Sequence, residues 1–515
     1  MYRPSLDEIK NISEAGNYNV IPFSTETYSD MVTPIEVLKK IMNVSKHCFI
    51  LESAEDNKTW GRYTFIGFDP VLEITCLNGV MSINSSENKN LYSELPLSRN
   101  GEGYPPANPN KMIQDLLDRH KSVKFDYLPP FTGGLVGYFA YDYAKYSEPA
   151  LKLDADDQRS FDEEGFNDVD LMLFDKVIVF DNYKQKIILI VNIKTVNIEE
   201  EYERRKVQLE KLKSLIKSGN TTEKDDDVKQ TSSANIKSDF KALFTKDQYC
   251  QMVMKAKEHI KEGDIFQVVL SNRYEADFEG SLFDAYRVLR TINPSPYMFY
   301  FSGSNLEIAG ASPETLVKLH NGKLFTYPLA GTRKRGETDE EDIALEKELL
   351  ADDKELAEHN MLVDLGRNDL GKISKFGTVK VDKYLSVLKF SHVMHIGSTV
   401  TGDICNDKTG LDAINAVLPA GTLSGAPKIR AMQIINEQEK NKRGIYGGAI
   451  GYLDLTGNMD TCIAIRIVYK RNNKVFVRSG AGIVADSNPE SEYQECVNKS
   501  AAVMSALKLS SGGIE

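Results

Sequence analysis

The stretch VRSGAGIVADSNPESEYQECVNK, Val477 to Lys499, couples a glycine turn to carboxylates spaced for one face of a helix. Asn488 followed by Pro489 marks a helix start, and in the helix that follows Glu492 and Glu495 stand three residues apart and point the same way. A second pair with this spacing, Glu355 and Glu358 in KELAEHNMLVDLGRND, predicts a second such helix. Two helices face to face could converge four carboxylates on one point. Oxygen-only donors of that kind suit Mg²⁺, which keeps several waters and binds few protein carboxylates together with an anionic substrate. Spacing alone nevertheless favours two solvated helix faces, because such pairs are common.

Outside this stretch, 515 residues exceed an ordinary single core, so two domains or one large elaborated domain is expected. The net charge of −12 argues against broad binding to nucleic acid or to an anionic membrane. An anionic substrate would therefore need a local cationic or metal site. The six cysteines are scattered without a CxxC pair, a pattern that suits a reducing cytosol. MYRPSLDEIK lacks the apolar core of a signal peptide, and no run approaches the ~18 apolar residues of a spanning helix, so a cytoplasmic chain without membrane contact is expected.

Residues 1–217 read as a mixed region of helices and strands. TPIEVLKKIMNV is helical, CFILESA is a short buried strand, and KVIVFDNYKQKIILIVNI is a hairpin around a polar turn. A charged amphipathic helix from Ile198 to Ile216 precedes KSGNTTEKDDDVKQTSSANIKSD, whose composition predicts a flexible linker over 218–240. From 241 to 515 longer patterned segments follow: a helix over Lys246–Glu262, a strand from Ile265, and a helix stopped at Asn293-Pro294. Sharply alternating runs without a βαβ repeat predict antiparallel sheets.

In FTYPLAGTRKRG the expected strand ends at Ala330-Gly331-Thr332, and Arg333, Lys334 and Arg335 make an electropositive turn suited to a carboxylate. LPAGTLSGAPKIRAMQIINE leads Thr422 into a helix opened by Pro427, a second anion-friendly terminus. Arg466 interrupts the alternating run TCIAIRIVYK, either aimed at a pocket or held in an ion pair. His392 and His395 would face opposite sides of a strand, which disfavours a two-histidine metal site and leaves one catalytic imidazole or a core histidine. Neither a GxSxG elbow nor a Cys-His amidotransferase signature is present.

Taken together and in order, GASPE, PLAGTRKRG, AEHNMLVDLGRNDLG, LPAGTLSGAPK, GGAIGY and SGAGIVADSNPESEYQE resemble the chorismate-utilising enzymes, and within them the family of anthranilate synthase large components. The resemblance spans nearly the whole chain and is strongest from Gly263 to Ala502. It implies an α+β fold of packed, largely antiparallel β-sheets surrounded by helices, with chorismate bound beside Mg²⁺. Glu358 and Glu495 would then be the principal metal ligands, with Glu355 and Glu492 in the same acidic cluster. Gly331, Thr332 and Thr422 would line the ring end of the substrate, and the Gly480-Ala481-Gly482 backbone would meet a carboxylate. Tyr446 and Arg466 would hold the enolpyruvyl carboxylate, and Lys499 would edge the acidic site.

The implied reaction adds ammonia at C2 as the C4 hydroxyl leaves, then eliminates pyruvate. Glu314 is the candidate acid for the hydroxyl, and His395 the candidate for the proton transfers of pyruvate loss. Relatives that deliver water carry lysine where this chain has Gln267, and relatives that form aminodeoxychorismate carry lysine at the Ala330 position. Anthranilate is thus the expected product, and the aminodeoxychorismate-forming enzymes are the alternative. Ammonia would come from a glutamine amidotransferase partner in a hetero-oligomer. ILESA ending at Ser53, with Arg62 nearby, and NPSPYM with Pro296, Tyr297 and Met298 resemble the two halves of a tryptophan feedback site.

Overall fold

Alternation along single strands sets the layers. In the strand Cys48–Glu52, Cys48 and Ile50 pack towards one hydrophobic layer and Phe49 towards another, as a period of two requires. The computed structural model describes residues 2–54, 60–85, 109–151, 164–217, 234–389 and 393–511. Among these, the strands form a fourteen-stranded and an eleven-stranded sheet stacked face to face. Every named ladder between them is antiparallel, for example Val20–Tyr28 with Lys186–Lys194 and Gln267–Glu279 with Lys474–Ile483.

An aromatic layer fills the space between the sheets. Phe49, Phe65, Phe299 and Phe476 come from the larger sheet, and Tyr138, Phe174 and Tyr452 from the smaller. Phe49 meets Phe174 edge-on at 4.8 Å. The outer face of the larger sheet is covered by helices that include Pro34–Met42, Ile198–Lys217, Phe283–Ile292 and Pro489–Ser510. Pro109–Asp118, Asp353–Gly371 and Gly410–Val417 cover the smaller sheet. The architecture is α+β, as the alternation and the resemblance imply.

The hairpin pairs Lys176–Asp181 with Lys186–Lys194, and the helix Lys246–Glu262 ends at Gly263 in a left-handed cap. Both sheets draw strands from either side of the 218–240 stretch: Cys48–Glu52 pairs with Tyr297–Ser302, and Gly134–Phe139 pairs with Ala449–Asp454. Within that stretch residues 218–233 lie outside the described residues, and Asn235–Ile236 pairs with Phe278–Glu279. No helix among the described residues is long and apolar enough to cross a membrane.

TCIAIRIVYK is not one strand. Met459–Ile463 belongs to the smaller sheet and Ile467–Arg471 to the larger, and the chain crosses between them at Arg466, whose φ of 52° is left-handed. A second crossing lies beside it. Glu307–Ser312 is in the larger sheet, Thr315–His320 in the smaller, and Glu314 sits in the connection.

Candidate active site

The two crossings are stitched together at the seam between the sheets. The Ile463 amide donates to Glu314 O at 2.9 Å, the Ala311 amide donates to Arg466 O at 3.2 Å, and Ser312 Oγ donates to Ile463 O at 2.7 Å. This backbone lattice sets a carboxyl and a guanidinium next to each other. Burial lifts the Glu314 carboxyl to about 7, against the Thr422 hydroxyl, which donates to it at 3.2 Å, and the charges of Arg466 and Lys499. Burial lowers the affinity of Arg466 for its proton, and Glu314 opposes that. Thr422 reaches Glu314 from the short 3₁₀ turn Gly421–Leu423.

His395 lies on the strand Val393–Asp403, and its Nδ1 is 2.8 Å from Gly331 O. A carbonyl can only accept, so the neutral ring carries its proton on Nδ1 and presents Nε2 as the base. Burial holds the imidazole below its ordinary range, Arg466 adds to that, and Gly331 O and Glu355 oppose it. Thr332 Oγ1 is 3.1 Å from the same nitrogen. Gly331 has the left-handed φ of 69° that favours glycine, and a β-carbon there would also crowd Leu349 at 2.9 Å and Glu355 Oε2 at 3.3 Å. His392 lies outside the described residues.

The two carboxylate helices belong to different sheets. Asp353–Gly371 packs on the strands Leu329–Lys334 and Val393–Asp403 of the smaller sheet, and Pro489–Ser510 on Lys474–Ile483 of the larger. Asp352 and Asn488 cap them. Burial and then the charge of Glu355 raise Glu358, and Glu495 adds to this from the opposite helix while Lys354 and Lys499 oppose it. Glu492 is raised by burial and by Glu495, against a hydrogen bond from Ser487. The acids therefore feel one another across the seam. They stand more open than full convergence requires: among the described residues, only His259, Glu262 and Asp264 bring three ligand atoms within 4.8 Å of one another. Lys499 Nζ lies 2.6 Å from Glu495 Oε1 and donates to Gly480 O at 3.3 Å.

Gly480, Ala481 and Gly482 pair with Ser271, Leu270 and Val269 on one side. The neighbour on the other side, Ile467–Arg471, ends its pairing at Val477, so this stretch of backbone has no strand along that edge among the described residues. A β-carbon at Gly480 would lie 3.0 Å from Tyr446 Oη, which places the hydroxyl of the buried Tyr446 against this glycine. Gln267 is buried one strand away, its Nε2 2.8 Å from where a Gly482 β-carbon would stand.

The profile of the chorismate-binding enzyme family matches residues 46–505. The chain belongs to that family. It is 45% identical over 510 residues to anthranilate synthase component 1 of Acetivibrio thermocellus, covering 99% of each chain. The crystal structure of anthranilate synthase component I from Streptococcus pneumoniae superposes with a TM-score of 0.71 at 35% identity, over 92% of this chain and 98% of that one. The menaquinone-specific isochorismate synthase of Escherichia coli shares the fold, with a TM-score of 0.67 at 18% identity over 98% of both chains.

One expectation for this chorismate-binding enzyme fails on its cations. Arg333 is not offered to a ligand: it lies 2.8 Å from Asp352, 3.0 Å from Glu348 and 3.6 Å from Glu355. Arg335 is paired with Asp342, which this pairing holds down at about 2. The strand itself continues to Lys334. Arg333 and Arg335 thus fasten the acidic helices to the sheet, their charge neutralised by this chain's own carboxylates, and Lys334 stands exposed.

Away from the seam, Ser53, Pro296, Tyr297 and Met298 all line one cavity of about 510 Å³. Its walls include Phe65, Tyr327 and Tyr452, and its polar groups include the Lys318–Asp460 ion pair at 2.8 Å. Tyr297 Oη donates to Asp460 at 2.8 Å. Arg62 is outside this lining, paired with Asp181 at 3.0 Å.

Sequence reasoning missed the network behind the site. Glu439, Arg443 and Arg478 are buried to within 2% exposure. Glu439 receives Arg443 and Arg478 at 2.6 Å each, and the Ser271 amide at 2.8 Å. Arg443 also donates to Leu423 O and Val269 O at 2.6 Å, so the network ties the Thr422 turn to two strands of the larger sheet. Burial alone would raise Glu439, but the two guanidiniums outweigh it and hold the carboxylate below its usual range.

Proposed function

We propose that this chain joins ammonia to chorismate and expels pyruvate to give anthranilate, the product in the name of its full-length relatives. The observation that carries the reading is the seam, where a carboxyl held near 7 and a neutral imidazole flank a half-buried guanidinium. Glu314, half protonated near neutrality, donates to the departing C4 hydroxyl, a leaving group that needs a proton. Arg466, with the Tyr446 hydroxyl against Gly480, receives the enolpyruvyl carboxylate. His395 Nε2 moves the protons of pyruvate loss, with Gly331 O holding its tautomer. Gln267 cannot act as a base towards water, which fits ammonia as the nucleophile.

Mg²⁺ fits the acidic helices, because their donors are all oxygens and Glu358 is raised by burial and then by like charge, both of which a bound cation offsets. Glu358 and Glu495 would hold it, with Glu355 and Glu492 beside them. When bound it would supply positive charge against a carboxylate of the substrate. Ammonia would arrive from a glutamine amidotransferase partner. Tryptophan would inhibit by filling the Ser53–Met298 cavity, whose aromatic walls and charged rim match an amino acid with a large ring.

The purified chain is expected to form anthranilate from chorismate, Mg²⁺ and ammonium salts at raised pH, and none with glutamine as nitrogen donor. Glutamine-dependent product in a preparation free of a second polypeptide sinks the partner assignment. At constant free NH₃, kcat is expected to fall as pH rises through about 7, because Glu314 must be protonated to act as the acid. A flat profile from pH 6 to 9 removes Glu314 from that role. Ser53→Phe is expected to abolish tryptophan inhibition while leaving turnover within about twofold, since it crowds only the cavity. Full sensitivity in that variant counts against the site.

A further inference from the structure

The Asp353–Gly371 helix carries Glu355 and Glu358 in its first turns, while its fully buried apolar side chains begin only at Leu362. Only Leu362, Val363 and Leu370 are buried hydrophobics along its 19 residues. Apolar contact is non-directional, and a helix held mainly by it can turn or slide without losing much. A turn or slide here would carry both carboxylates away from His395 and Gly331.

Arg333 ties the start of the helix through Asp352 and Glu355, Lys428 ties its end through Asp369 at 2.7 Å, and between them one buried contact lies beside Glu358. His359, adjacent to Glu358, has no exposed surface, and its Nε2 lies 2.6 Å from Ser398 Oγ. Ser398 is buried on the His395 strand, three residues further on. Its Oγ also accepts the Leu385 amide at 3.1 Å, and its own amide donates to Pro328 O at 3.1 Å. Leu385 lies where Lys380–Lys389 bulges against the His395 strand, between the pairs Lys383 with Thr399 and Ser386 with Gly397, and its φ of 53° is left-handed. The hydroxyl thus fills the bulge and meets the imidazole at one point. A hydrogen bond is directional, so it favours one setting of the helix on the strand over its neighbours.

We propose that His359 and Ser398 are positioning residues that set the register of the carboxylate helix against the His395 strand. The inference rests on the reading of the acidic helices as the Mg²⁺ site. A solvent-side tie between the same helix and the bulged strand, Tyr384 Oη donating to Asn360 Oδ1 at 2.6 Å, provides the control.

Mg²⁺ titrations of the substrate-free chain by calorimetry, with thermal midpoints recorded alongside, test this. Ser398→Ala is expected to weaken Mg²⁺ binding about tenfold, the scale on which lost support of a ligand shell acts. His359→Leu, which keeps the volume and removes the contact, is expected to do the same, and it serves if the alanine variant does not fold. Tyr384→Phe is expected to bind within twofold of wild type. Wild-type affinity in a folded Ser398→Ala or His359→Leu protein overturns the inference and leaves the acidic site standing. A wild-type chain that binds no Mg²⁺ overturns both.

Discussion

Glu358→Gln is expected to lower chorismate turnover by about 10³-fold, roughly 4 kcal/mol of transition-state stabilisation, while leaving the fold as stable as before. The two halves of this expectation come from the same observation. Burial and the charge of Glu355 hold the Glu358 carboxyl above its ordinary range in the folded chain. A carboxyl whose folded pKa exceeds its unfolded one binds its proton more tightly in the fold, so stability declines as pH rises through that range. Glutamine keeps the shape and removes that cost. In chelator at pH 8 the variant is therefore expected to unfold at or above the wild-type urea midpoint. With ammonium and Mg²⁺ it forms almost no fluorescent product. Unchanged turnover would remove Glu358 from the metal site, and a large loss of stability would make the activity loss uninformative about it.

Glu439→Gln is expected to have the opposite profile, a loss of about 3–5 kcal/mol in folding stability. It leaves Arg443 and Arg478 buried beside each other without the carboxylate that both reach at 2.6 Å. The sign with pH follows from the depressed carboxylate. Its stabilisation is fully present above the unfolded pKa of about 4.3 and is lost as pH falls through the folded value. The urea midpoint of the wild type is thus expected to drop more steeply than that of Glu439→Gln below pH 4. Activity should fall as well, because Arg443 anchors Leu423 O next to Thr422. Equal midpoints at pH 7 would mean that water reaches the network.

What could be read from the chain alone was local. The two glutamate pairs were legible because helical spacing and the caps at Asp352 and Asn488 act within a few residues. The hairpin over Lys176–Lys194 was legible for the same reason. Arg333 misled because its carboxylate partners arrive 15 to 22 residues later, at Glu348, Asp352 and Glu355. The break at Arg466 was hidden because nothing in TCIAIRIVYK signals a left-handed residue that is not glycine or asparagine. Glu439 and Arg443, in EQEKNKRG, look like a solvated helix end, and only pairing with strands that start at Gln267 and Lys474 buries them. Ser53 and Met298 were brought to one cavity by a ladder spanning some 250 residues, which no local pattern encodes.

The claim on which the rest depends is that acids from helices on two different sheets share one divalent ion. A crystal grown with Mn²⁺ and a substrate analogue, analysed by anomalous scattering, addresses it directly. A single strong peak is expected about 2.1 Å from oxygens of Glu358 and Glu495, the span of Mg²⁺ to oxygen. A map without density there, or with its strongest peak between His259, Glu262 and Asp264, contradicts the account.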